Sequence, residues 1–224
     1  MHKIVALVVL ISITVKGFSQ PQFGVFGGPQ MVTANYKIYS QKQSSTAKYG
    51  FHLGAMAKVP FDNQLFFAPE AFYSLKGYKV KFKQSAFPPD TNAVNNNTTI
   101  HTFELAFLLQ YDFSNQPDHF FVKLGPSLDF QLFGKEKFDL KNGTSVDRKM
   151  VFDFEDYGRY AASILLQFGY EISNSVLISA NYTHGIGNLN NHDGGPSIRY
   201  RAFGLSVGKY FGRKKIVMDT RNKE

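Results

Sequence analysis

The chain has 224 residues, a natural length for one domain, and carries 23 Phe and 12 Tyr but no Trp and no Cys. The absence of cysteine excludes disulfides, thiolate metal sites, a cysteine nucleophile and a cysteine-linked lipid anchor. The formal net charge is +8, yet the cations are scattered and six of them lie in Lys209–Lys223, so we read a solvated tail and no nucleic-acid partner.

Lys3, the apolar run Ile4–Val15 and the small residues before Gln20 fit a secretory signal peptide over 1–19. The run is too short for a confident transmembrane helix, which needs about 20 apolar residues. Removing Lys3 and Lys16 lowers the charge from +8 to +6. The predicted barrel domain covers 20–212, and 213–224 is a basic periplasmic C-terminal tail.

Beyond the signal, apolar residues recur with period two, the mark of half-buried strands. A first strand runs over Phe23–Met31, and the polar stretch Val32–Lys48 reads as a long loop. Tyr49–Val59 alternates clearly, and Pro60–Gln64 is a short turn around Asp62-Asn63. Leu65–Phe82 is a long third strand, and Lys83–Thr98, with Pro88-Pro89-Asp90, a second long loop. Ile100–Phe133 forms a tall hairpin closed by Ser114–Asp118. On its first arm Phe103, Leu105, Phe107, Leu109 and Tyr111 share one face, with Leu108 an apolar exception on the other. Gly134–Lys149 is a third long loop. Phe152–Ile172 is the sixth strand, Ser173–Ser175 a tight turn, Val176–Gly185 the seventh strand, Ile186–Pro196 a loop, and Ile198–Phe211 the eighth strand.

Connections thus alternate long and short. That sorting predicts an all-β fold, an eight-stranded antiparallel up-and-down transmembrane β-barrel with long extracellular loops and short periplasmic turns. The apolar parity then faces lipid. The opposite parity gathers Lys58, Glu70, Lys76, Glu104, Asp112, Lys123, Asp129, Arg159, Gln167 and Glu171. Eight strands enclose a space that side chains can fill, so Lys58, Glu70, Glu104, Lys123, Asp129, Arg159 and Glu171 are expected to form a structural lumen ion-pair network. Glu70 is expected to pair with Arg159 or Lys123, and inward glycines to give room to the long side chains. Tyr73, Tyr78, Tyr111, Phe113, Phe120, Tyr170, Tyr182, Tyr200, Tyr210 and Phe211 are candidates for aromatic girdles.

Several ordered motifs carry a family resemblance: Gln22–Gly28, Gly50–Ala55, Pro69–Gly77, Phe103–Gln110, Leu124–Ser127, Phe168–Tyr170, Asn181–Ile186 and Val207–Phe211. In order and spacing they resemble the outer-membrane β-barrel proteins abundant in Bacteroidetes, the PorT-like, porin-family proteins. The resemblance covers the mature chain and implies the barrel and its place in the outer membrane. One departure is that Tyr210-Phe211 is followed by a tail, where such barrels typically end on an aromatic residue.

Catalysis is not expected. His184 sits at the outer end of the seventh strand, but Ile186, not a serine, is its same-face neighbour, so a lipid A deacylase-type His-x-Ser pattern is missing. Ser179 and Ser206 face the lumen with no histidine expected near them. His52, His101, His119, His184 and His192 are too dispersed for ordinary metal-ligand spacing, and His192–Gly195 reads as a turn. No cofactor is expected. The expected partners are outer-membrane lipid, the barrel-assembly machinery during biogenesis and an envelope protein. The leading reading is a non-enzymatic barrel that binds a partner through its loops or periplasmic rim. A narrow porin-like channel or secretion accessory, and a secreted lipocalin-like ligand-binding barrel, are the alternatives.

Overall fold

The computed structural model describes residues 21–172 and 175–211. The expected signal peptide, the C-terminal tail and two residues of the turn at 173–175 lie outside them. Eleven strands are present among the described residues: β1 (Gln22–Ile38), β2 (Gln41–Lys42), β3 (Ser44–Asp62), β4 (Leu65–Lys76), β5 (Tyr78–Lys81), β6 (Asn95–Asp112), β7 (His119–Asp139), β8 (Ser145–Lys149), β9 (Tyr160–Ile172), β10 (Val176–Gly185) and β11 (Ser197–Phe211).

Eight of them, β1, β3, β4, β6, β7, β9, β10 and β11, form an antiparallel ring. Its seam is β1 against β11, paired from Phe23↔Phe211 to Lys37↔Ser197. The fold is therefore an up-and-down eight-stranded barrel. The short turns after β3, β6 and β9 lie at the end that holds the start of β1 and the finish of β11, the periplasmic end of such barrels. The remaining strands are additions to the opposite, extracellular end. There β5 continues the line of β4 between β3 and β6, while β2 and β8 make small hairpins on β1 and β7.

Two of the expected long loops are largely strand. β1 runs on to Ile38 and turns within Tyr39-Ser40, both at positive φ, before β3 begins at Ser44. β7 likewise continues to Asp139. Conversely, the sixth expected strand starts at Tyr160 rather than Phe152, because residues 150–159 fold across the extracellular mouth, with Tyr157 bridged to Phe152 and Asn190.

The outward face falls into two zones. Phe23, Val25 and Met31 on β1, Phe51 and Leu53 on β3, Phe107 and Leu109 on β6, Leu124 and Leu128 on β7, Ile164, Leu166 and Phe168 on β9, and Phe203, Leu205 and Val207 on β11 are exposed and form the lipid wall. Above it, β1 exposes Lys37 and turns Val32, Ala34, Tyr36 and Ile38 inward. These join Tyr78, Val80, Ile100, Met150, Tyr157, Leu189, Ile198, Tyr200 and Ala202 in an apolar core that fills the extracellular part of the barrel, with Phe82 and Phe152 packed on it.

Three girdle candidates belong inside. Tyr78, Tyr200 and Tyr210 are buried because Tyr200 and Tyr210 share the parity of the inward Gly204 and Ser206, and Tyr78 shares that of Val80. Outward aromatics do flank the lipid wall. Tyr111, Phe113 and Phe120 stand at the periplasmic edge, and Tyr160, Tyr182 and Phe133 at the other, where His101 stacks on Phe133 with ring centroids 4.2 Å apart. A β-bulge keeps this wall aligned: Gln131 opposes Thr102 while Phe133 opposes His101, so Leu132 and Phe133 both face out. Gly169 does make room as expected. A Cβ there would meet the ring of Phe121 at 2.5 Å.

An arginine at the middle of the lipid wall costs about 2–4 kcal/mol, and near zero at the edge. Phe107→Arg is therefore expected to destabilise the folded barrel by that amount, and Thr33→Arg, above the wall, by less than about 1 kcal/mol. Denaturant titration of the vesicle-embedded protein measures both; equal costs would contradict the assigned boundary.

Candidate functional site: the charged lumen

Inward side chains from strands far apart in sequence meet inside the ring and form three layers. Nearest the periplasm, Lys58 Nζ lies 2.5 Å from Asp112 Oδ2 and 2.9 Å from Glu171 Oε2. Gln110 donates to the other Asp112 oxygen at 2.7 Å. His119 donates from Nδ1 to the Gln116 carbonyl at 2.8 Å, which aims Nε2 at Asp112 and Glu171, 3.1 and 3.4 Å away. In the middle layer Lys123 donates to Glu70 Oε1 and Gln167 to Glu70 Oε2, each at 2.8 Å. In the upper layer Lys76 Nζ is 2.8 Å from both Glu104 Oε1 and Asp129 Oδ2. Glu104 and Asp129 oppose each other across the β6–β7 ladder, so Lys76 separates two like charges that would otherwise repel.

Of the residues expected in this network, Lys58, Glu70, Glu104, Lys123, Asp129 and Glu171 are all buried here, and Glu70 takes Lys123 as its partner. Arg159 is a correction. It precedes the first residue of β9, is exposed, and donates to the Phe152 carbonyl at 3.2 Å. Arg159 lies just outside the last registered β7–β9 pair, Phe130↔Tyr160, where its carbonyl still accepts from Gln131 at 2.8 Å but the chain is turning to cross the mouth, and its side chain points outward. Lys76 and His119 complete the set. Lys76 shares the parity of Glu70 and Ser74 and was legible on that ground, whereas His119 begins its strand and had no preceding alternation to mark it.

The lumen is not wholly polar. Phe26, Met56, Ala68, Phe72, Ala106, Leu108, Phe121, Leu165, Leu177 and Tyr210 pack between the charged layers, and Leu108, the exception to alternation, is fully buried there. The spaces left between layers are about 20 and 10 Å³, each room for about one water.

Ser206 does have a histidine beside it. His52 Nε2 is 2.6 Å from Ser206 Oγ, which also accepts from Asn181 Nδ2 at 2.5 Å. The sequence separation of 154 residues hid this pair. His52 borders the 20 Å³ void and Ser206 the 10 Å³ one, each too small for a substrate. His184 is exposed, 3.2 Å from the Tyr182 hydroxyl, and lies opposite Arg201 and Ile164 in the ladder. Among the dispersed histidines, His119 does meet two acids: ligand atoms of Asp112, His119 and Glu171 lie within 4.8 Å of one another. The Lys58 ammonium already contacts both carboxylates, where a cation would sit.

One further charge lies above the layers, in the extracellular core. Glu136 is buried and accepts from Tyr157 at 2.7 Å, from Asn96 at 3.2 Å and from Arg148 Nε at 2.8 Å. Burial, then the neighbouring Tyr78 and Glu136, push the Tyr157 hydroxyl well above its ordinary value, so it stays a donor. Arg148 also donates to the Pro89 carbonyl at 2.8 Å, which ties the 82–94 loop and β8 to the barrel mouth.

The lumen holds Lys58, Lys76 and Lys123 against Glu70, Glu104, Asp112, Asp129 and Glu171. Three lysines against five carboxylates make each lysine the scarce partner. Lys76→Met leaves Glu104 and Asp129 facing each other and is expected to cost about 3–5 kcal/mol. Glu104→Gln leaves Lys76 paired with Asp129 and is expected to cost about 1 kcal/mol or less. Unfolding of the two variants in detergent measures the asymmetry, and equal losses would show that the layer is not held by its lysine.

The family model for the outer membrane protein beta-barrel domain matches residues 18–191. No curated protein matches the chain. Similar solved structures include neisserial surface protein A, at 15% identity over 86% of this chain and 100% of that one, TM-score 0.43. Ail, the attachment invasion locus protein of Yersinia pestis, is 14% identical over 86% and 100%, TM-score 0.41. OprG from Pseudomonas aeruginosa is 14% identical over 88% and 99%, TM-score 0.45. The chain belongs to the outer membrane protein beta-barrel domain family and is an outer-membrane β-barrel.

Proposed function

We propose that this protein is a closed, non-enzymatic barrel that anchors a rigid extracellular rim in the outer membrane and binds an envelope or external partner through it. The observation that carries this reading is the double filling of the lumen: ion-paired layers within the lipid zone and an apolar core above them. A narrow channel fits poorly with that filling. A secreted lipocalin-like barrel is the wrong way round, since its apolar residues would point inward where this barrel holds Glu104, Lys123 and Asp129.

The rim offers contacts a partner could use. Phe154 is 86% exposed and Tyr39 73% exposed, both at the extracellular end, where aromatic side chains have no lipid to meet. The non-enzymatic reading rests on the voids of about 20 Å³ beside His52 and about 10 Å³ beside Ser206, neither of which would admit a substrate. The finer family reading, a PorT-like barrel of the Bacteroidetes type, rests on the ordered motifs from Gly50–Ala55 to Val207–Phe211. Insertion by the barrel-assembly machinery follows from the outer-membrane location.

Planar-bilayer recording of the purified barrel is expected to give no steady single-channel conductance; regular openings would overturn the closed-barrel reading. Cross-linking in intact cells from position 154 is expected to trap a discrete partner that Tyr39→Ser weakens. Cross-links to lipid alone would count against a rim-binding role.

A further inference from the structure

Directly above the lipid wall, the outer face of β3, β5, β6, β7 and β8 carries Lys48, Lys79, Lys81, Lys135, Lys137 and Lys149. The ladder register sets several of them side by side: Thr46 opposes Lys79, Lys79 opposes Asn97, Asn97 opposes Lys137, and Lys135 opposes Lys149. None of the six lies within ion-pair distance of a carboxylate among the described residues, although Lys137 opposes Asp147 in the ladder and acts on Asp139 across the cleft; the ion pair at this end is Arg148 with Glu136. Lys48 donates to neutral oxygens, those of Asn97, Thr98 and Thr99, at 2.6–2.8 Å. Asp139 is already engaged by Asn95 at 2.7 Å and by Ser145, and these hydrogen bonds hold it below the ordinary aspartate value. A cleft of about 420 Å³ opens in this face, lined among others by Lys79, Lys81, Asn95, Asn97, Lys137 and the carboxylate of Asp139.

Three cations and two side-chain amides, set against the one carboxylate of Asp139 that Asn95 and Ser145 already hold, leave the cleft net positive, the chemistry of a phosphate site. Its height identifies the source of the phosphate. On β6 the lipid wall ends at Phe103 and His101, and Asn97 lies four residues further, about 10 Å higher at the rise and tilt of a barrel strand. That is the depth of lipid headgroups. Among the described residues, the periplasmic turns after β3 and β6 lack the feature, and Lys209 stands by itself on the outer face of β11. The turn residues 62–64 and 113–118 carry Asp62 and Asp118 and no Lys or Arg.

We infer that this lysine face binds the phosphorylated headgroup of the outer-leaflet glycolipid, fixing the barrel against one leaflet. The test uses the full mature chain folded in neutral detergent and titrated with bisphosphorylated lipid A, with dephosphorylated lipid A and with inorganic phosphate. Bisphosphorylated lipid A is expected to bind tightest, with affinity falling as salt rises. Joint replacement K79Q, K81Q and K137Q is expected to weaken it by about tenfold or more, each lysine near a lipid surface contributing on the order of fivefold. Lys209→Gln, at the periplasmic end, is expected to leave it unchanged. Should the triple variant fail to fold, Asn97→Asp, which sets a carboxylate between Lys79 and Lys137, is expected to weaken binding similarly. Equal binding of dephosphorylated lipid A, or no loss in a folded variant, would overturn the proposal; inorganic phosphate competing at equal concentration would make the cleft a free-anion site instead.

Discussion

Closure of the β1–β11 seam is the constraint on which the rest of the molecule depends. In hydrocarbon no water satisfies a free N–H or carbonyl, so a sheet crossing the bilayer must leave no edge. Thirteen registered partners from Phe23↔Phe211 to Lys37↔Ser197 close the ring. With eight strands, closure also fixes the bore at a width that side chains fill. Everything inside must then be satisfied by what is inside. That is why each lumen lysine touches a carboxylate and why Glu70 is engaged on both oxygens by Lys123 and Gln167.

The same ring passes through two solvents, and the pleat records the crossing. On β1 the apolar set changes from odd positions, Phe23, Val25 and Met31, to even ones, Val32, Ala34, Tyr36 and Ile38, with no shift of register. The strand does not rotate; its surroundings invert. Below the change, lipid rewards apolar residues outside and ion pairs fill the lumen. Above it, water takes the outer face and the lumen becomes an ordinary apolar core. The aromatic pair His101 and Phe133 and the bulge at Leu132 sit at that change on β6 and β7.

This inversion explains what the sequence disclosed. The lipid-zone strands were legible because long alternating runs such as Phe103–Tyr111 and Phe120–Leu132 keep one phase, and phase alone assigns Glu104, Lys123 and Asp129 to the lumen. The strand extensions were not, because Val32–Ile38 alternates in the opposite phase and so reads as a polar loop when one phase is sought. Parity also ordered residues only along a strand. It could place His52 and Ser206 both inside, but their contact depends on how the ring closes. Arg159 shows the complementary limit: it has the inward parity but stands one residue before β9 begins. Tyr200 and Tyr210 are inside because parity, not aromatic character, decides which face a strand residue takes.

The polar lumen carries a cost, since buried ion pairs are often less favourable than apolar side chains of the same volume. Here the alternative is restricted. A strand that faces lipid on one side and an apolar lumen on the other is apolar throughout, with no alternation to set its register, and a slip of one residue would go unpunished. Glu70, Glu104 and Lys123 make such a slip expensive, because it would place charges in lipid. Above the membrane the outward face is already polar, register is set from outside, and the lumen is free to become the core around Tyr36, Tyr78 and Tyr200. Charge inside the lipid zone and hydrocarbon inside the extracellular zone are thus two answers to one requirement, that the two faces of every strand differ.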